Sequence, residues 1–198
     1  MAKAVWAAGS ATAGLFVLSY ADLLAARNLL AAAESADYAV LNVLTKAAIW
    51  APQMIGIVAL PYFAREVTRS RLLAALAVSA VGAVLVAAMW VFGPVAVRLA
   101  GGAAYSHLAG HAAAFAALGA LYALVFMLTN AQVAVGARAP ALPLWAAASL
   151  FVILVYFVAE PTVTGIVTSA LAAAVLSTTA LVTLMWITMR STQASESA

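Results

Sequence analysis

The sequence predicts an all-α membrane protein: a bundle of six transmembrane helices, both termini cytoplasmic. Three observations predict it. Of 198 residues, 68% are hydrophobic and only 8% charged, whereas soluble domains are about half apolar and about a quarter charged. A water-soluble fold of this length cannot bury so much apolar surface. The apolar residues also come in long unbroken runs, and roughly 20 such residues cross a hydrocarbon core of about 30 Å. Finally, the runs are rich in Ala and Leu and do not alternate, so they read as helices and not as the strands of a barrel.

The first span covers residues 4–26, after Lys3. A signal peptide has a shorter apolar core of about 7–15 residues, so this run is read as a retained span. Polar residues from Arg27 to Asp37 form the first loop. The second span, 38–63, contains Pro52, which predicts a kink, and a charged turn with Arg65, Glu66, Arg69 and Arg71 follows. The third, 72–92, stops at Gly93-Pro94, and Gly101-Gly102 lies in the next loop. The fourth covers 108–135, the fifth 142–158 and the sixth 163–189, with turns at Gly136–Pro140 and Glu160-Pro161. Residues 191–198 form a polar tail with no expected structure. This threading puts Lys3, Arg65, Arg69, Arg71, Arg138 and Arg190 on one side and Arg27 and Arg98 on the other. The excess of basic residues marks the cytoplasmic side. Trp6, Trp90 and Trp186 fall near run ends, where interfacial aromatics belong.

Several function classes drop out. The net charge of +3 is scattered as single flanking charges, which does not suit nucleic acid. Cysteine is absent. His107 and His111, four apart, share a helix face but have no third ligand near them in sequence, so no metal is assigned. No hydrolytic motif or phosphate loop is present, and the chain is read as no enzyme, with no cofactor.

Ionisable residues inside a span are costly, which makes them the functional candidates. Lys46 lies about eight residues into the second span, about 12 Å along the axis. Tyr38, Asn42, Lys46 and Gln53 fall within about 80° of arc on that helix, a polar stripe on an apolar surface. Two readings of the stripe stand: a lining for a polar or anionic substrate, or a snorkelling lysine beside amides that glue helices together. Asp22, near the outer end of the first span, is expected to pair with Lys46 in preference to Arg27; the other readings are a carboxylate at headgroup depth and one that binds a proton or sodium ion in a coupled transporter. Asn130 and Gln132 are two apart and face different ways, so one of them can line a cavity; Asn130 is the candidate. The candidate substrate-binding set is therefore Asp22, Asn42, Lys46, Gln53 and Asn130. Ser10 and Gly14 form a small-xxx-small pair that permits close helix packing.

Around these residues the chain reads Tyr20-Ala-Asp22-Leu-Leu-Ala-Ala-Arg27-Asn-Leu-Leu, then Ala36-Asp37-Tyr38-Ala, then Pro52, then Leu60-Pro61-Tyr62-Phe63-Ala64. This resembles the bacterial polysaccharide and oligosaccharide-lipid flippases, in the superfamily that also holds multidrug and toxin extrusion transporters. There, an Asp near a helix end precedes a short outer loop, and a Tyr opens a proline-bearing helix. Leu128-Thr-Asn130-Ala-Gln-Val-Ala-Val-Gly136-Ala-Arg138 is similar to a later helix end and basic turn of the family. Where the family often has Gly before the Tyr, this chain has Ala36-Asp37, and its six helices match one lobe of a two-lobe transporter, the C-terminal half. The resemblance implies a half-size flippase of the bacterial cytoplasmic membrane. It would move a lipid-linked saccharide, or another amphipathic polar substrate, by alternating access. A homodimer or a second six-helix half would complete it. Two rivals are a cation-coupled drug exporter half and a non-transporting scaffold subunit of a cell-envelope assembly.

Overall fold

In the structure, a computed structural model, the backbone is described for residues 2–63, 69–134, 137 and 139–196, and the side chains for 5–52, 72–134, 137 and 139–186. The apolar runs form six α-helices: α1 (Ala2–Leu29), α2 (Ala32–Phe63), α3 (Arg69–Gly101), α4 (Ala112–Ala134), α5 (Leu142–Phe157) and α6 (Val163–Glu196). A 3-10 segment, Ala103–His111, leads into α4, and no strand occurs among the described residues. Four stretches, Val5–Leu29, Leu72–Gly101, Ala103–Ala134 and Val163–Trp186, are long and apolar enough to cross a membrane. α5 has 16 residues and so reaches about 24 Å.

Contacts run α3–α2–α1–α5–α6–α4 and back to α3, with α2 and α4 also packed together across the middle. α4 is the central helix, burying Phe115, Leu118, Val125 and Leu128. The outside is strongly apolar: Leu99 is 84% exposed, Phe157 82%, Trp90 80% and Trp6 79%. Apolar exposure on this scale has no place on a soluble monomer and suits contact with lipid. The chain is a membrane-embedded helical protein on these grounds.

The expected boundaries needed correction where polarity and helix propensity disagree. The Arg27–Asp37 loop shrinks to Leu30-Ala31, because the Ala-, Leu- and Glu-rich flanks continue as helix beyond the apolar limit. α3 does not stop at Gly93-Pro94. It bends there, with Phe92 at φ −104°, ψ 15°, and runs on to Gly101; Pro94 has no N–H to give its own turn, which is the cause of the bend. A Cβ on Gly93 would sit 2.8 Å from the Ala109 carbonyl oxygen, so the bend brings the 3-10 segment directly against α3. Gly102, at φ +90°, makes the turn out of α3. Residues 108–111 of the expected fourth span are 3-10. α6 opens on the Thr162 hydroxyl, which accepts the Gly165 N–H at 3.0 Å as an N-cap. It then continues through the polar segment expected to be unstructured, as far as Glu196. The basic residues Arg65, Arg69, Arg71, Arg138 and Arg190 lie outside the described side chains.

Helix pairs meet closely where small residues permit it. Gly14 packs on α5, where an added Cβ would stand 3.0 Å from the Leu144 Cβ, and one turn earlier the Trp145 indole N–H donates to Ser10 Oγ at 3.1 Å. Gly119 of α4 faces the Thr45 carbonyl oxygen of α2. The Thr45 hydroxyl donates to the Phe115 carbonyl at 3.0 Å, one turn away from that contact.

Candidate functional site

The polar stripe of α2 turns inward at one edge, against α1 and α4. Asp22 is fully buried, at 0% exposure. One carboxylate oxygen accepts the Tyr38 hydroxyl at 3.0 Å and the Asn42 amide at 3.3 Å. The other accepts the Leu23 N–H at 2.8 Å. Tyr38 and Asn42 reach one carboxylate together because they are four apart on α2, one above the other on the same face. The Tyr38 ring packs edge-on against Phe115 of α4, centroids 5.0 Å apart. Tyr122 of α4 is buried and donates to the Leu18 carbonyl at 2.9 Å. Three helices are thus joined by hydrogen bonds around one acidic side chain.

Lys46 is one turn further along α2 and takes a different environment. Its ammonium donates to the Ser19 carbonyl of α1 at 2.7 Å and lies 3.7 Å from the Tyr20 ring centroid. That is a cation–π contact with the negative face of the ring. Tyr20 stacks on Phe16, and both are exposed, as are Val43 and Trp50 on α2. Lys46 is half-buried. It lies where α1 meets α2, beside these exposed side chains. The expected Asp22–Lys46 pairing is not made. Asp22 takes its donors from Tyr38 and Asn42 at its own level, while the lysine stem carries the ammonium a turn away, to Ser19. Among the described residues the ion pair present is His107–Asp37, at 3.3 Å.

The structure therefore brings together Asp22 and Asn42, places Lys46 one turn away against Ser19, and leaves Asn130 apart. Asn130 is exposed on α4, eight residues beyond Tyr122 and so about 12 Å away along the axis. Its neighbour Gln132 is the buried member of that pair. The Gln53 side chain lies outside the described residues. Sequence reasoning missed Thr45 and Tyr122, and gave Tyr20 no part in holding Lys46. The available signal was that aromatic hydroxyls inside apolar runs need a partner, but nothing in the sequence pointed to which one.

The two histidines diverge. His107 Nε2 meets Asp37 at 3.3 Å, whereas His111 Nε2 meets the Thr164 hydroxyl of α6 at 3.3 Å. Among the described residues no group of three potential metal ligands occurs. The His107 side chain is 59% exposed, and a pair so placed contributes about 0–1 kcal/mol. We expect His107→Ala to leave the thermal midpoint in detergent within about 2 °C of the parent; a larger drop would show that this contact anchors the 3-10 segment.

Chemically, the arrangement offers no nucleophile–base pair. It offers a half-buried ammonium on α2 with an aromatic ring beside it. Such a group binds anions by charge and hydrogen bonding. No family model, curated protein or solved structure matches this chain.

Proposed function

We propose that the chain is a half-size membrane transporter of the flippase type. It carries a lipid-linked saccharide, or a similarly amphipathic anionic molecule, across the bacterial cytoplasmic membrane by alternating access. In this reading the six helices all span, both termini are cytoplasmic, and a second copy or a second six-helix half faces the α1–α2 groove. The supporting observation is Lys46. On this reading it lies inside the second span; it is half-buried, with a backbone carbonyl and a tyrosine ring as its neighbours. A cation at that depth is too costly to leave against lipid tails. An anionic headgroup on the groove offsets that cost, with the lipid chain lying along Phe16, Tyr20 and Trp50. Asp22 and Asn42 position the site by holding α1 to α2.

The test is reconstitution in liposomes with a fluorescent polyprenyl-phosphate-linked sugar, scoring the fraction reached by an impermeant quencher. We expect Lys46→Ala and Lys46→Gln each to slow translocation at least about tenfold, the equivalent of about 1.4 kcal/mol. Lys46→Arg, which keeps the charge, should retain most of the rate. Equal rates in all four proteins would remove Lys46 from the site.

The scaffold reading has one observation in its favour: Asp22, Tyr38 and Asn42 satisfy one another as helix glue. It predicts that a cysteine at position 46 is closed to water-soluble thiol reagents in the assembled protein. The transporter reading predicts that it is labelled.

A further inference from the structure

The Asp22 and Lys46 environments are adjacent but distinct, and the contrast between them carries an inference. Both oxygens of the Asp22 carboxylate are met by donors: the Leu23 N–H, the Tyr38 O–H and the Asn42 N–H. Hard metal cations need converging oxygen lone pairs, and this cage presents hydrogens. It can instead accommodate a proton. A protonated Asp22 becomes a donor, and the Asn42 amide, whose oxygen and nitrogen differ little in shape, can turn to present its oxygen. The Tyr38 hydroxyl can still donate to the lone pair that the same oxygen keeps once it is protonated, and the Leu23 N–H still has the other oxygen. No partner is lost.

The second half concerns net charge. Lys46 is four residues from Asn42 on α2, and its acceptor Ser19 is three residues from Asp22 on α1. The two charges are therefore separated by about one helical turn, about 5.4 Å along the axis. With Asp22 ionised the pair is neutral overall; with Asp22 protonated it carries one positive charge. An anion of one charge on the groove then restores neutrality, which a low-dielectric site favours.

We infer that Asp22 is a proton-binding site thermodynamically linked to anion binding at Lys46, so that proton and anion are taken up together. The inference rests on the anion site proposed above and adds a regulation to it. The proton adds to a carboxylate oxygen, and no other bond changes. By reciprocity, the factor by which protonation strengthens anion binding equals the factor by which the anion strengthens protonation. Other titratable or charged groups lie on the elements packed around the pair. Arg27 and Tyr20 are on α1, Glu34, Asp37 and Tyr38 on α2, Arg98 on α3 and Tyr122 on α4. His107, against Asp37, and His111 are on the 3-10 segment. His107, which meets Asp37, supplies the control.

The experiment uses the full chain in nanodiscs of phosphatidylcholine. The probe is short-chain phosphatidylglycerol, a phosphodiester whose single charge does not titrate in the range used. Calorimetry between about pH 5.5 and pH 8.5, in two buffers of different ionisation heat, gives affinity and protons exchanged. We expect fractional proton uptake on binding and affinity falling about tenfold or more across the range, within the ~5–150-fold usual for coupled sites. Asp22→Asn should bind with little pH dependence, and His107→Gln should behave as the parent does. No proton uptake with constant affinity in the parent protein would overturn the linkage, and that measurement requires no variant to fold. So would a pH dependence that survives in Asp22→Asn or disappears in His107→Gln. If Lys46→Ala binds the probe as tightly as the parent, the anion site itself is wrong. If Lys46→Ala loses binding while the parent shows no pH dependence, only the linkage is wrong.

Discussion

Asp22→Ala will lower the unfolding midpoint of the protein in mild-detergent micelles by the equivalent of about 2–6 kcal/mol. The figure is the sum of about 1–3 kcal/mol for each of two buried donors left without an acceptor. Those donors are the Tyr38 hydroxyl and the Asn42 amide, both fixed on Asp22. The bonds themselves are not the larger part. An interhelical hydrogen bond in a membrane protein averages only about 0.6 kcal/mol, because the separated helices also find partners. What is costly is the folded state with polar hydrogens facing apolar walls. Two companion variants separate these effects. Asp22→Asn keeps an acceptor oxygen and should lose less than half as much. Adding Tyr38→Phe to Asp22→Ala removes one orphaned donor and should recover part of the loss, a coupling that a double-mutant cycle reads directly. An Asp22→Ala protein unfolding at the parent's midpoint would show that the carboxylate does not tie α1 to α2.

The second large effect is expected at Gly119→Leu. An added Cβ there would collide with the Thr45 carbonyl oxygen and lie 2.7 Å from the Ala48 Cβ. Both neighbours are on α2, and a backbone carbonyl cannot swing aside as a side-chain tip can. Overpacking usually costs about 1–3 kcal/mol. Here the α2–α4 contact through the middle of the bundle must open as a whole, so Gly119→Leu should reach or exceed about 4 kcal/mol, the exceptional end of single substitutions. The separation would also break the Thr45–Phe115 hydrogen bond. Size-exclusion profiles and thermal midpoints in detergent check this, with Gly119→Ala falling between Gly119→Leu and the parent. Gly9→Ala is the control. Nothing lies within 4 Å of its added Cβ, and replacing a helix-interior glycine should stabilise by about 0.5–1 kcal/mol. Equal losses at positions 9 and 119 would mean that close approach does not govern either.

The sequence by itself determined the solvent and the kind of element. Long apolar runs without alternation can satisfy their backbones in lipid only as helices, and that is a property of each segment taken alone. It also marked Asp22, Asn42 and Lys46 as unusual, because their cost inside a span is local. Helix ends were less legible. Polarity signals where the bilayer stops, not where helical hydrogen bonding stops, so all of the Arg27–Asp37 stretch but Leu30-Ala31, and the residues from Pro94 to Gly101, proved helical.

Only the tertiary structure decided the partners. Tyr122 reaches the Leu18 carbonyl across 104 positions of sequence, and Thr45 reaches the Phe115 carbonyl across 70. No spacing rule connects residues so far apart. Asp22 could be matched with Lys46 on charge alone, yet its oxygens take Tyr38, Asn42 and the Leu23 N–H, and the ammonium bonds the Ser19 carbonyl instead. A charge can be read from the sequence. The direction it faces depends on how helices rotate and slide against one another, and that is set by many small contacts, such as those at Gly14 and Gly119, acting together.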